Sequence, residues 1–330
     1  MLRKESMIYG GNWGFQIPNY TFNLEFVIYK LSRRSPMFFK KVIFFALILS
    51  FISSTAATDT LQPQRTGNSC LDPKMVFIPA GKFIMGSDEK EKEFAYNLDG
   101  GTTRKYGWYD IEVKKTFYLE EYCIDQTLVT NDEYLKFVKE TTHRFPFISP
   151  GNYQKQGFLV HPYKEVRPFL WSDKGYPKGL GKHPVVLVSI DDASKYCKWK
   201  GSTFKKDFRL PTEEEWEKAA RGTNGRYFPW GNQWNPARLN SWKGGPYFTT
   251  EIDKYPGGKS PYGLLDAAGN VFEWTTSTFP NRKHVVKSCS WDDSPGICRP
   301  AARHGRPSQS RHILIGFRCS AKSSSPKIGF

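Results

Sequence analysis

The sequence predicts a loop-rich α+β fold in which short helices combine with small antiparallel sheets. Its 330 residues include 28 Gly and 22 Pro spread along the chain, and such frequent breakers disfavour long regular elements. An apolar fraction of 39% and an aromatic fraction of 16% suffice for one sizeable core. Short apolar runs and three helix-start signals supply the elements themselves.

The first strands are predicted from short apolar runs between residues 75 and 124. Residues 75–78 and 81–86 flank a Pro-Ala-Gly turn, a pattern that predicts a β-hairpin. Residues 117–124, with the sequence FYLEEYCI, are expected to form one further strand.

Three later segments share the same helix-start signal. In each, a Ser or Thr precedes an acid by three residues, so that the hydroxyl caps the first turn and the acid reaches back to the cap. The pairs are Thr130 with Glu133, Ser189 with Asp192 and Thr212 with Glu215. Gly201 and Gly222 are predicted to end the second and third helices. Capping accounts for at least one of the acids at 213–215 and solvated helix faces for the rest, rather than catalysis.

The chain after residue 222 consists mostly of turns, as in PWGN at 229–232 and PGG at 256–258. Ordered loops of this length need an organiser such as a bound cation or aromatic clusters.

Charge separates the chain into a leader and a mildly basic remainder. The formal net charge is +16, of which residues 1–57 contribute seven Lys/Arg against two acids. The remaining cations are scattered among acids rather than gathered in a block, which disfavours nucleic acid as a partner. A general attraction to anionic surfaces is what this pattern predicts.

An export signal is predicted from a second start at Met37. Lys40 and Lys41 give a positive n-region, residues 42–52 (VIFFALILSFI) form an apolar core, and small residues lead to cleavage after Ala57. The apolar run is shorter than the roughly 20 residues of a membrane span. We therefore expect a signal peptide at 37–57, no membrane-spanning segment after its cleavage, and a periplasmic or secreted mature chain.

The domain organisation follows from this signal. Residues 1–36 show no periodicity and are expected to be a non-native or disordered extension. Residues 58–69 form a linker, 70–322 the globular domain and 323–330 a tail.

Six cysteines lie in the domain, at positions 70, 123, 197, 289, 298 and 319. An even number in an exported chain is compatible with disulfides, whose 15 possible pairings the sequence alone does not resolve. Because no two of them have C-x-x-C spacing, structural zinc is disfavoured. Cys197 falls on an amphipathic helix and is interpreted as a small core residue rather than a reactive thiol.

Nine ordered blocks resemble the formylglycine-generating-enzyme (sulfatase-modifying-factor) family. They are MVFIPAGKFIMG (75–86), VTNDEY (129–134), HPVVLVS (183–189), DASKYCKW (192–199), RLPTEEEWE (209–217) with AARG (219–222), PWGN (229–232), GLLDAAGNVFEW (263–274), SW (290–291) with CRPAAR (298–303), and GFRC (316–319). Because these blocks span about 245 residues in order, the resemblance covers nearly the whole domain.

The resemblance implies a fold related to C-type lectins, stabilised by calcium and buried aromatic residues. It also implies a choice of activities. One branch of the family oxidises a cysteine of client sulfatases with a copper ion held by two cysteines, and another uses non-haem iron. Further relatives take part in siderophore maturation or are envelope components.

The copper ligands of the first branch correspond to positions two and seven residues after Trp291. These are Asp293 and Cys298 here, and Cys289 is an additional thiol in place of a glycine. Copper(I) prefers thiolates. Either Cys289 and Cys298 form a shifted thiol pair or a disulfide, or Cys298 is structural and copper chemistry is lost. Ser290 matches the family's active-site serine, so these residues are the candidate catalytic set and Cys298 the candidate cofactor ligand.

A calcium loop is predicted by the same resemblance. The side chains of Asp266 and Glu273, with the carbonyls of Gly269 and Val271, match the family's calcium ligands and are the hard oxygens that Ca²⁺ prefers. A second family site starts near Asn240. Iron is disfavoured, because none of the six histidines has the spacing His-x3-His-x-Glu of the iron branch.

These observations predict an exported oxidoreductase-type modifier of a peptide or a small molecule. The alternative is a non-catalytic, lectin-like binding module or an envelope-assembly component. The expected partners are a protein or peptide client, a small metabolite or other envelope proteins, with calcium as the expected metal and copper as a possible one.

Overall fold

A computed structural model describes residues 70–156 and 160–323, and these form six α-helices and ten β-strands. The helices are α1 Glu89–Leu98, α2 Asn131–Thr141, α3 Pro150–Lys155, α4 Tyr163–Val166, α5 Ile190–Thr203 and α6 Glu213–Arg221. The strands are β1 Met75–Ile78, β2 Gly81–Met85, β3 Lys115–Leu119, β4 Tyr122–Asp125, β5 Phe208–Arg209, β6 Phe272–Thr278, β7 His284–Lys287, β8 His304–Arg306, β9 Ile315–Gly316 and β10 Ser320–Lys322. The predicted extension, signal peptide and linker lie outside the described residues, as does most of the predicted tail.

The predicted β-hairpin at 75–86 is wrong. Strand β1 pairs with β4 and β2 pairs with β3, both antiparallel, so the two halves of the run join later strands instead of each other. The Pro-Ala pair at 79–80 interrupts the first stretch, and the buried ammonium of Lys218 donates to the carbonyls of Pro79 and Gly81 beside it. The predicted strand at 117–124 is likewise divided, since Glu120 and Glu121 separate β3 from β4. The register continues across both breaks, which makes one interrupted ribbon.

Two four-stranded sheets organise the rest of the chain. The first has the order β1-β4-β10-β5 and the second the order β8-β7-β6-β9. All their pairs are antiparallel except β6 with β9, which run parallel. Short helices and long loops pack around these sheets, which confirms the predicted loop-rich α+β class.

All three predicted capping boxes are present, at the starts of α2, α5 and α6. Gly222 ends α6 as predicted. The predicted end of α5 at Gly201 is wrong, because the helix continues to Thr203. Gly201 is needed there for another reason: a Cβ at this position would lie 2.4 Å from the carbonyl oxygen of Lys206.

Three disulfides cross-link the domain, joining Cys70 to Cys123, Cys197 to Cys319 and Cys289 to Cys298. The second connects α5 to the residue just before β10. Cys197 is therefore a buried core residue, as predicted, that is also covalently bonded. Disulfides are typical of oxidising compartments. Among residues 70–156 and 160–323, no helix is long and apolar enough to cross a membrane.

A buried cluster of ion pairs connects α1, α6 and β7 to the loops around them. Its members are Glu91, Glu112, Glu213, Glu217, Arg221, Lys287, Arg299 and Arg303. All except Arg303 have side chains no more than 5% exposed. Because buried charges are tolerated only when paired, the cluster fixes how these elements pack.

Candidate functional site

The two candidate catalytic cysteines are bonded to each other. Cys289 and Cys298 form a disulfide with their Cα atoms 4.8 Å apart, and both residues are fully buried. Of the alternatives that the sequence left open, the disulfide is the one in the structure. All six cysteines lie in the described residues and none is free.

The loop closed by this disulfide carries a hydrogen-bonded pair of carboxylates. The Ser290 amide donates to Asp293 Oδ2 at 2.7 Å, and the Ser290 hydroxyl lies 2.6 Å from Asp292 Oδ1 and also contacts Asp293. Burial raises the pKa of Asp293 to about 7, and the neighbouring charge of Asp292 adds to the effect. Ser290 therefore orders two acids, and no imidazole among the described residues hydrogen-bonds its hydroxyl to activate it as a nucleophile.

A histidine that the sequence analysis did not select contacts the carboxylate pair of this loop. His161 Nε2 lies 2.8 Å from Asp292 Oδ2, and its Nδ1 lies 2.8 Å from Glu165 Oε2. Burial opposes the charged ring, but the hydrogen bonds that the ring makes to Asp292 and then to Glu165 outweigh it and raise the pKa of His161. The contact joins residues 131 positions apart, so no local pattern could have predicted it.

A pocket of about 720 Å³ opens beside the carboxylates, and we call it the aromatic pocket. Four large aromatic side chains that line it are exposed by 39–64%, whereas aromatic residues usually lie in the core. They are Tyr106, Trp108, Trp242 and Tyr247. The wall contains Asp292, Asp293, Ser294 and Ile297 from the disulfide-closed loop, together with His304 and Arg306 of β8.

Polar atoms near this pocket include one buried donor without a partner. The Trp291 ring packs 4.9 Å from those of both His161 and Tyr247, and its Nε1 makes no hydrogen bond within the described chain. Burial lowers the pKa of His304 to about 3, which keeps that imidazole neutral at the pocket wall. The pocket therefore combines aromatic faces with a few polar groups, the usual composition of ligand sites.

The predicted calcium loop is ordered by hydrogen bonds within the protein. Both carboxylate oxygens of Glu273 accept from Arg318, at 2.6 and 2.8 Å, and both residues are fully buried. Asp266 accepts from the amide of Asn270 at 3.0 Å, and burial raises the pKa of Asp266 to about 7. The Gly269 carbonyl accepts from the Val271 amide at 3.0 Å.

The second predicted calcium position keeps an unused oxygen. Asn240 is fully buried, and its Nδ2 donates to the Phe248 carbonyl at 2.8 Å. Its Oδ1 has no hydrogen-bond partner in the described chain. Over the same residues, no three His, Cys, Asp or Glu side chains lie together in a way that could hold a metal ion.

The residues present do not fit copper, and they fit calcium only in part. A cysteine binds a metal as its thiolate, and both sulfurs of the candidate copper site are instead bonded to each other. Glu273 is neutralised by Arg318, so a cation there would compete with a guanidinium. The free oxygen of Asn240 is the group that suits a hard cation.

Comparison with known proteins identifies the family. The model of the sulfatase-modifying factor enzyme 1-like domain matches residues 60–323. The chain belongs to this family. The named "Inactive C-alpha-formylglycine-generating enzyme 2" of Mus musculus is 32% identical over 294 residues, which cover 78% of this chain and 88% of the mouse protein. The "Formylglycine-generating enzyme" of Thermomonospora curvata is 33% identical and is covered over 93% of its length, by 75% of this chain.

Solved structures agree on the fold. PvdO from Pseudomonas aeruginosa superposes with a TM-score of 0.56 at 22% identity, over 78% of this chain and 97% of PvdO. Treponema denticola variable protein 1 superposes with a TM-score of 0.53 at 20% identity, over 75% and 94%. The family expectation drawn from the sequence is confirmed.

Proposed function

We propose that this member of the sulfatase-modifying-factor family is a binding protein that holds a small molecule or a peptide segment in the aromatic pocket without copper chemistry. The observation that carries the proposal is the disulfide between Cys289 and Cys298. Copper(I) prefers soft sulfur ligands such as thiolates, and a disulfide removes both thiolates. The carboxylate of Asp293 stands at the position of the other family ligand and is bound to Ser290.

The aromatic pocket supports a binding role. Its volume of about 720 Å³ lies within the 300–1,000 Å³ that is usual for sites that bury a small ligand. Exposed aromatic side chains are costly to solvate and common where another molecule is bound. The mouse relative, which is 32% identical, is named inactive. This name supports the proposal that a member of the family can lack the oxidation chemistry.

An oxidoreductase-type modifier of a peptide or small molecule is the second candidate function. It is favoured by the similarity to the Thermomonospora curvata protein named as a formylglycine-generating enzyme. This function would require the disulfide to open before copper is bound.

Copper binding separates the two functions. The wild-type chain and its Cys298→Ser variant are titrated with copper(I) and then incubated with oxygen and a sulfatase-type cysteine peptide. We expect no stoichiometric copper binding and no formylglycine in the peptide. Tight binding that is lost in the variant, together with formylglycine formation, would establish the oxidoreductase instead.

Pocket use is tested with a matched pair of aromatic variants. Tyr118 is 59% exposed on β3, and Trp242 is equally exposed at the pocket rim. A panel of cysteine peptides and small metabolites is screened by ligand-observed NMR. We expect a binder whose signal is lost in Trp242→Ala and retained in Tyr118→Ala. Equal loss in both variants would indicate nonspecific contact with exposed rings.

Calcium and export complete the proposal. A calcium ion would be held by the Asn240 side chain together with oxygens of Asp266, Gly269 and Val271, and it would order loops that have little regular structure. Export from the predicted signal at Met37 is supported by the three disulfides. N-terminal sequencing of the secreted chain should give a start near Thr58, whereas a chain that retains Met1 would contradict export by this signal.

A further inference from the structure

A second pocket, of about 520 Å³, has two walls. One is formed by α3 and the loop before it and the other by residues 307–311, and all the charged side chains that line the pocket are positive. Arg144, Lys155 and Arg311 line it, and no carboxylate is among the described residues of its lining. We propose that this basic pocket binds the phosphate or sulfate group of a small organic monoester. The proposal is independent of the aromatic pocket and of the function assigned to it.

One buried carboxylate holds the basic side chains in place and is fully used in doing so. Asp192 Oδ1 lies 2.9 Å from His143 Nε2 and 3.0 Å from Arg144 Nε. Its Oδ2 accepts from the amide of Ser189 at 2.7 Å, from the Ser189 hydroxyl at 2.6 Å and from Arg311 Nη2. The Asp192 carboxylate, already saturated with donors, is therefore shared between two guanidinium groups.

The contact between Arg144 and Asp192 leaves the two terminal nitrogens of the guanidinium group available as donors. It contacts Asp192 through Nε only, and its two terminal nitrogens make no hydrogen bond with any described residue. The side chain is 57% exposed. An arginine anchored at Nε presents its other two nitrogens as a planar fork, which matches two oxygens of a phosphate or sulfate.

The two guanidinium groups are close enough to disfavour one another. Burial lowers the pKa of Arg311, the charge of Asp192 opposes this, and the positive charge of Arg144 adds to the lowering. A bound oxyanion would relieve this repulsion. Lys155 is exposed and forms no ion pair with a described residue, so it offers a third cation to the same ligand.

The pocket wall is fixed before any ligand arrives. Gln156 and Arg311 exchange two hydrogen bonds: the Gln156 side-chain amide donates to the Arg311 carbonyl at 3.1 Å, and the Arg311 backbone amide donates to Gln156 Oε1 at 2.7 Å. Ser149 and Ser310 add hydroxyl donors to the lining. Such preorganisation reduces the entropy lost on binding.

The size and the rim of the pocket indicate an organic ester rather than a free ion. A volume of about 520 Å³ is typical of sites for small organic ligands. Phe147 is 49% exposed at the rim, and Ile148 lies beside it. An aryl or alkyl group could pack on these apolar side chains while its oxyanion meets Arg144.

Isothermal titration calorimetry at low ionic strength tests the proposal with phenyl phosphate, phenyl sulfate, inorganic phosphate and phenol as probes. We expect a phenyl ester to bind more tightly than inorganic phosphate, and phenol not to bind. Arg144→Gln should weaken ester binding about 10- to 100-fold, because it removes a charge-assisted contact, and Lys155→Gln should weaken it less. Arg144→Lys, which keeps the charge but not the fork, should be intermediate.

The matched control is Lys195→Gln, which removes one positive charge from an exposed lysine of α5 that pairs with Asp191. It should leave binding unchanged, and thermal melting of each free variant should match that of the wild type. Equal weakening in Lys195→Gln and Arg144→Gln would show a net-charge effect and overturn the site. Absence of ester binding, or sedimentation with anionic phospholipid vesicles in place of ester binding, would overturn it as well.

Discussion

Removing the carboxylate of Glu217 should be one of the most damaging single changes in this domain. Its Oε1 accepts from the Gly86 amide at 2.7 Å and from Arg221 Nη1 at 3.0 Å, and its Oε2 accepts from Lys287 Nζ at 2.9 Å. The side chains of Glu217, Arg221 and Lys287 are no more than 1% exposed. Glu217→Leu would therefore leave two buried cations short of a partner and one buried amide without an acceptor.

The expected loss follows from the cost of unpaired buried charge. Removing one partner of a buried ion pair destabilises a protein by about 3–5 kcal/mol. For a domain of about 250 residues, each kcal/mol lowers the melting temperature by about 2 °C. We therefore expect Glu217→Leu to melt about 6–10 °C below the wild type. Glu217→Gln retains an acceptor and a similar shape, so its loss should be smaller.

Urea unfolding and calorimetry measure these losses. The control is Glu214→Leu, a change of the same chemistry in the first turn of the same helix, where the side chain is only half-buried and has no ion pair with a described residue. Its free energy of unfolding should change by less than about 0.5 kcal/mol. If Glu217→Leu and Glu214→Leu have the same melting temperature, the buried cluster of ion pairs does not determine stability and the reasoning fails.

Three further predictions address the site and the metal. The hydrogen bonds that raise the pKa of His161 stabilise the fold fully below its unfolded pKa of about 6.5 and are lost as pH rises through the raised value; unfolding curves of His161→Gln should therefore differ more from wild type at about pH 5.5 than at about pH 8.5. Cys319→Ser should cost more stability than Cys298→Ser, about 5 against about 3 kcal/mol, because their disulfides close loops of 122 and 9 residues; equal losses in urea would contradict the loop-entropy explanation. Asn240→Ala should lower the melting temperature more in calcium than in chelator, whereas Glu273→Gln should lower it equally in both; indifference of Asn240→Ala to calcium would remove calcium from this loop.

Local signals in the sequence predicted local structure well. The three capping boxes depend on residues three apart, and all three are present. The loops after residue 222 do contain an aromatic cluster, in which the Phe228 and Trp230 rings stack 5.2 Å apart. The family was also predictable, because each of its nine blocks is a contiguous motif that can be read from the sequence alone.

Non-local pairing could not be predicted in the same way. The hairpin prediction failed because β1 pairs with β4 and β2 with β3, both well downstream, and a turn sequence does not encode that choice. His161 contacts Asp292, 131 residues later in the sequence. Asp192 contacts both Arg144, which precedes it in the sequence, and Arg311, which follows it. In each case the partner is an ordinary charged residue in its own sequence context.

The disulfide between Cys289 and Cys298 connects the covalent chemistry of the chain to the shape of its pocket. Cys289 and Cys298 close a short loop, and Asp292, Asp293 and Ile297 of that loop stand in the wall of the aromatic pocket. Copper(I) prefers thiolate ligands, whereas here the two sulfurs are bonded to each other. We therefore propose that this loop serves recognition, because the bond between its two cysteines leaves neither sulfur as a thiolate.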